Sequence, residues 1–113
     1  MDHFIPRKIK FKAWNQEARL LMKLDSIECS KGELFRRDHI LLQFTGILDR
    51  DEEEIYDMDI LLIYSEKHLV FWDMAKSGWY YSVLKNPGES QPFVKAVGNG
   101  MRRFCSFFEL QQE

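Results

Sequence analysis

No apolar run in this chain approaches the roughly 20 residues that cross a bilayer, and the opening Met1-Asp2-His3-Phe4-Ile5-Pro6 lacks the basic start and apolar stretch of a secretory signal. No membrane contact is expected, and the expected compartment is the cytoplasm. Cysteine is scarce. Cys29 and Cys105 lie far apart, form no CxxC pair and fit no zinc spacing. They read as two ordinary thiols in a reducing compartment rather than a disulfide framework. Catalytic signatures are missing too. No serine stands in a G-x-S-x-G context, and no GxGxxG or P-loop occurs; Gly98-Asn99-Gly100 is a turn. His3, His39 and His68 are isolated from one another, and His39, beside Ile40-Leu41-Leu42, reads as structural. The expectation is a protein that is not an enzyme, with no catalytic residues, no metal and no cofactor.

An excess of charge is also absent: the formal net charge is −2, which argues against a generally basic nucleic-acid binder. The charges are nevertheless unevenly placed. Residues 1–48 hold 9 Lys and Arg against 6 Asp and Glu, giving +3; residues 49–66 hold 1 against 8, giving −7; residues 67–113 hold 6 against 4, giving +2. Within the acidic segment, Asp49, Asp51 and Glu53 sit at positions 1, 3 and 5 of a calcium loop. The pattern then fails, because Glu54 stands where the sharp turn needs Gly and Ile60 where a bidentate Glu belongs. The stretch Asp49–Glu54 is too polar to bury, and residues 49–59 read as a solvated acidic loop with Ile55-Tyr56 as a short apolar stop.

What the chain does have is apolar and aromatic material. Of 113 residues, 45% are hydrophobic and 14% aromatic, enough for one core in one domain spanning 1–113. Arg7–Ala13 alternates, with Ile9, Phe11 and Ala13 on one face and Lys8, Lys10 and Lys12 on the other. It reads as a half-buried strand with a lysine-covered outside. Leu20–Ile27 reads as a strand, although its residues would also allow a helix. A turn at Lys31-Gly32 and an apolar run at His39–Thr45 follow. Asp59–Tyr64, His68–Trp72 and Gly78–Leu84, with short polar breaks, make a meander. Phe93–Val97 reads as a further strand. In Met101–Leu110 the phenylalanines 104, 107 and 108 fit helical spacing and alternation alike, and a strand or short turn against the core is favoured. The fold class is therefore mainly β, with β-rich α+β as the variant.

The meander carries Phe71, Trp72, Trp79, Tyr80 and Tyr81, more aromatic surface than one core face needs. Trp72 and Tyr80 are expected on one side, Phe71 and Trp79 on the other. Most of this set belongs to cross-strand packing. Trp72, Trp79 and Tyr81 are the candidate binding residues of an exposed aromatic patch, suited to a protein, a peptide or a single-stranded nucleic acid. Lys8, Lys10 and Lys12 would give that patch an electrostatic rim, although a lysine strand face more often serves solubility and edge protection.

The order of these pieces resembles a known family. Arg7-Lys8-Ile9-Lys10-Phe11-Lys12-Ala13-Trp14 is similar to the opening "R-x-I-K-F-R-A-W" of the YopX family of phage and prophage proteins. Leu42-Gln43-Phe44-Thr45-Gly46-Ile47-Leu48-Asp49 resembles its "M-Q-Y-T-G-L-K-D" box, and Glu54-Ile55-Tyr56-Asp57-Met58-Asp59-Ile60 its "E-I-Y-E-G-D-I". Val70-Phe71-Trp72 with Gly78-Trp79-Tyr80 resembles the family's next strand pair, and Val97-Gly98-Asn99 its closing "I-G-N". The resemblance implies a β-rich fold with an SH3-like barrel-type meander and an origin in a phage or mobile element. It supplies no catalytic residues. Two departures stand out. Arg50-Asp51-Glu52-Glu53 replaces the family's Asn-Gly turn, and Met58 replaces the glycine of "E-G-D". The second implies that this position needs neither a positive φ nor a close approach, or that the loop is rebuilt. The expected role is an accessory protein that binds another protein of host or phage, with a homo-oligomer as one form of partner. The alternative is a nucleic-acid-binding module using Lys8, Lys10, Lys12, Arg36, Arg37, Arg102 and Arg103.

Overall fold

A computed structural model describes residues 4–110; the expectation for His3 lies outside them. In chain order the strands are β1 (Phe11–Asn15), β2 (Leu20–Lys23), β3 (Glu28–Ser30), β4 (Glu33–Phe35), β5 (His39–Leu48), β6 (Glu54–Tyr56), β7 (Asp59–Ile63), β8 (Glu66–Asp73), β9 (Gly78–Val83) and β10 (Ser90–Pro92). A one-turn helix α1 (Lys95–Gly98), strand β11 (Arg102–Ser106) and a second one-turn helix α2 (Phe107–Leu110) complete it. Strand makes up 51% and helix 8%, so the fold is mainly β. All pairings are antiparallel: one sheet runs β2-β1-β5-β6, a curled half-barrel sheet runs β10-β9-β8-β7-β11, and β3-β4 is a separate hairpin.

The meander forms as its alternation implies, over β7, β8 and β9. Its facing differs from expectation by one residue. Trp72 lies directly across from Trp79, and Phe71 across from Tyr80, so each pair shares a face. The β8–β9 turn sets this register, with the Asp73 carboxylate accepting the N–H groups of Ala75 and Lys76 at 2.9 Å. The Lys31-Gly32 turn closes the β3–β4 hairpin with φ of 52° and 83°, the paired left-handed geometry that suits right-twisted strands.

Other boundaries move. The first strand begins at Phe11 rather than Arg7, and only Leu20–Lys23 of the next segment is strand. Phe93–Val97 is not a strand. Pro92 ends β10, and the N–H groups of Val97 and Gly98 close back on the Val94 carbonyl, making α1. Gly98 permits this, since a Cβ there would lie 2.5 Å from Ile47 Cγ2 and 2.9 Å from Phe93 Cζ. The C-terminal segment is strand and then helix, with a register shift between Arg103 and Cys105 bulging out Phe104.

One core joins the two sheets: Ile55 of β6, Leu61 of β7 and Val70 of β8 pack with Phe93 and Met101, and Ile47, Trp79, Tyr81 and Val97 close around them. A second aromatic layer lies under β1, where Trp14 stacks on Phe108 at 5.7 Å and Phe44 meets Tyr56 at 5.6 Å.

The acidic segment is not wholly solvated. Asp49 is 3% exposed and Asp59 1% exposed. Glu52, exposed in the tight turn that replaces the family's Asn-Gly, adopts φ 65°. Met58 adopts φ 67°, so this position takes a left-handed backbone with a side chain in place, against the expectation that it needs no positive φ. A side chain in that region costs about 1 kcal/mol. Glu52→Gly is therefore expected to raise the melting temperature by a few degrees, and by more than Glu52→Gln, which removes only the charge. Calorimetry of the two variants compares them; an equal rise would assign the effect to charge alone.

Candidate functional site

Both faces of β1 are covered: Ala13, expected inside, is buried, and the face that carries Lys12 is packed against the protein as well. Lys12 shares its face with Trp14, which is buried, whereas Ile9, expected inside, is exposed. Lys10 donates to both oxygens of Glu54 at 2.9 and 2.7 Å, and Lys12 Nζ sits 4.5 Å from the Tyr56 ring centre. The ammonium groups of Lys10 and Lys12 thus lie over the rings of Phe44 and Tyr56, respectively. Burial, with Arg103 nearby, pushes the Lys12 ammonium below its ordinary value. Lys8 is exposed and joins neither contact.

These groups line a cleft of about 390 Å³ between β1 and β6, whose far wall is Arg103. Behind it Asp59 accepts from Arg103 Nε at 2.9 Å and from the Tyr56 N–H at 2.8 Å. Lys10 and Lys12 come from the first family-like box, and Glu54, Tyr56 and Asp59 from the third, so the two boxes meet here. Burial pushes the Asp59 carboxyl above its ordinary range, with the Arg103 guanidinium offsetting part of that rise. Lys10 pulls the Glu54 carboxyl down by hydrogen bonding, against its partial burial.

Tyr56 donates its phenol to Glu54 at 3.1 Å, and burial together with that carboxylate raises its pKa to about 12. Since the folded value exceeds the unfolded value of 10.0, the neutral phenol's contribution to stability is complete below 10.0 and is lost as pH rises through about 12. Ultraviolet difference titration should show one late phenolate phase that disappears in Tyr56→Phe and moves to lower pH in Glu54→Gln. A titration without that late phase would contradict this environment.

The aromatic candidates part company. Trp72 and Trp79 lie edge to face, 5.1 Å apart at 81°, and Trp72 is 39% exposed. Tyr81 turns to the core, against Phe93 at 6.1 Å and His68 at 5.9 Å, and does not join them. Beside the tryptophans a groove of about 410 Å³ is lined by Phe11, Leu41 and Met74, with Asp57, Gln43 and Arg7 as its polar groups. Sequence reasoning missed Phe11, Leu41, Met74 and Asp57 as members, because four separate segments supply them. Lys10 and Lys12 line the other cleft and Lys8 lines neither, so the six candidate residues do not form one surface. His39 has its Nδ1 2.7 Å from the Arg37 carbonyl, and its Nε2 is buried without a hydrogen-bond partner among the described residues. Among the described residues, no cluster of three or more His, Cys, Asp or Glu is placed to hold a metal, and no helix is long and apolar enough to cross a membrane.

No curated protein matches the chain. Among solved structures it is similar to one described as "Crystal structure of protein EF1440 from Enterococcus faecalis". The TM-score is 0.65 at 16% identity, over 95% of this chain and 98% of that one, a likeness of fold. The family model described as YopX protein matches residues 12–100. With the boxes at β1, β5, β6–β7 and β8–β9 placed in one fold, this chain belongs to the YopX family.

Proposed function

We propose that the chain is a non-enzymatic protein-interaction module, an accessory protein of a phage or mobile element built on an SH3-like half-barrel. The observation that carries this reading is the groove at Trp72, Trp79 and Phe11, with Met74 84% exposed at its edge. Its volume of about 410 Å³ falls within the range of ligand clefts, and exposed tryptophan is the residue type that most often anchors a protein partner. A photo-crosslinking residue placed at Met74 should yield one reproducible protein adduct in cells, lost when Trp72→Ala is added. The same residue at Tyr64, 99% exposed and outside the groove, should not yield it. Adducts of equal yield at both positions, or none at Met74, would count against the groove.

Nucleic-acid binding has less support. Lys10 is paired with Glu54, Arg36 with Asp25, Arg102 with Asp51 and Arg103 with Asp59, which weakens the pull of these cations on phosphate. Mobility shifts of single-stranded DNA at low salt would reverse that preference.

A further inference from the structure

The Trp72–Trp79 groove contains a charge that nothing in the described chain neutralises. Asp57, at the β6–β7 turn, is partly buried. Its own N–H donates to the Gln43 carbonyl at 2.8 Å, and burial acts on its carboxyl more strongly than the nearby backbone of Trp72 and Met58 does. Among the described residues, no lysine, arginine or histidine forms an ion pair with it. Arg7 reaches the groove wall without pairing with Asp57, from a segment outside any strand. The neighbouring Asp73 is committed to its own turn, capping Ala75 and Lys76, and Lys76 lies over Tyr80, which shares its face with Phe71 rather than with the tryptophans. Burial already pushes the Asp57 carboxyl above the ordinary range, so the ionised form is held at a penalty.

A neutral or anionic occupant would remove the remaining water from Asp57 and leave its charge uncompensated. A cationic one would supply the missing partner, and its charge would also be attracted to the electron-rich indole faces of Trp72 and Trp79. A guanidinium suits this combination, since it can pair with a carboxylate and stack on an indole at once. Phe11, Leu41 and Met74 would take up the apolar part of the same segment. We propose that the groove formed by Phe11, Asp57, Trp72 and Trp79 recognises an arginine or lysine side chain of a partner protein, presented beside apolar residues. The inference rests on the groove being the docking surface and names what that surface selects.

The experiment uses the whole chain and two blocked peptides, Gly-Leu-Arg-Leu-Gly and the same peptide with neutral citrulline in place of arginine. The indole N–H resonances of Trp72 and Trp79 are followed by NMR during titration. The expected result is saturable movement of both signals, with the arginine peptide bound roughly five- to tenfold more tightly. Asp57→Asn, which removes the charge at nearly constant shape, should abolish that preference. Equal binding of the two peptides, both lost in Trp72→Ala, would overturn the charge selection while leaving the groove as a docking surface. A preference that persists in Asp57→Asn would overturn the role of Asp57. Absence of any indole movement with either peptide would overturn the cation site, and the crosslink at Met74 would then decide the docking surface by itself.

Discussion

Asp59→Ala is expected to destabilise the fold by about 3–5 kcal/mol, the range for removing one partner of a buried ion pair. Asp59 is 1% exposed and accepts from Arg103 Nε at 2.9 Å and from the Tyr56 N–H at 2.8 Å. Truncation leaves a part-buried guanidinium and a buried amide without the acceptor they share. Arg103→Met should cost less, because the orphaned carboxyl can take up a proton. Burial already raises the Asp59 pKa, and losing Arg103 raises it further. The sign follows: a folded value above the unfolded one means that the folded state binds the proton more readily. The Arg103→Met variant therefore recovers stability relative to wild type as pH falls through the raised Asp59 value. Asp59→Ala should lack this recovery. The double variant should lie closer to wild type than the two single losses add up to, by a coupling of roughly 1–3 kcal/mol. Urea denaturation of the four proteins at two pH values tests all of this, and additive losses would remove the pair from the account of stability.

Asp49→Ala carries the second large effect. Its Oδ1 accepts the N–H groups of Asp51 and Glu53 at 2.8 and 2.9 Å, and its Oδ2 accepts the N–H of Arg103 at 2.7 Å. One carboxylate thereby folds the β5–β6 turn onto the start of β11. Hydrogen bonds to a charged group contribute about 1.5–3 kcal/mol each, and water re-solvates part of an opened turn. The net loss should be about 2–4 kcal/mol. Asp49→Asn should fall between, since its amide keeps one acceptor but turns a donor toward one of the three N–H groups. Hydrogen exchange locates the effect: the amides of Asp51, Glu53 and Arg103 should lose protection together, ahead of Val70 in the core. Retained protection at Arg103 would mean that the link from turn to β11 is held by other bonds, such as the Arg50 N–H to the Met101 carbonyl.

The two aspartates also show where reading the sequence stops. An acidic run such as Asp49–Glu54 reads as a solvated loop because no nearby residue offers a reason to bury any of it. The reason lies 54 residues away for Asp49 and 44 for Asp59, on one strand that presents both a backbone N–H and a guanidinium at Arg103. The same limit explains the lysines. Alternation at Lys8, Lys10 and Lys12 correctly separates two faces and puts Ala13 inside, but the covering of the Lys12 face as well depends on Phe44, Tyr56 and Phe108 arriving beside it. Met58 is the converse case. Its side chain argued against a left-handed turn, but the Tyr56 N–H to Asp59 bond and the Met58 N–H to Val70 carbonyl bond hold the backbone there.

The candidate groove divides in the same way. Trp72 and Trp79 were identifiable as aromatics in excess of a core. Their partners Phe11, Leu41, Asp57 and Met74 were not, because each sits in a segment with an ordinary local role. By itself the sequence determined the β class, the meander of β7, β8 and β9, the turn at Lys31-Gly32 and the family-like boxes. The first three follow from periodicity and turn chemistry within a few residues, and the boxes from local resemblance. Only the tertiary structure decided which aspartates are buried, that the Lys12 face is covered as well and which aromatics share a groove. Burial of a charge, and the convergence of side chains on one surface, depend on partners brought together from distant parts of the chain.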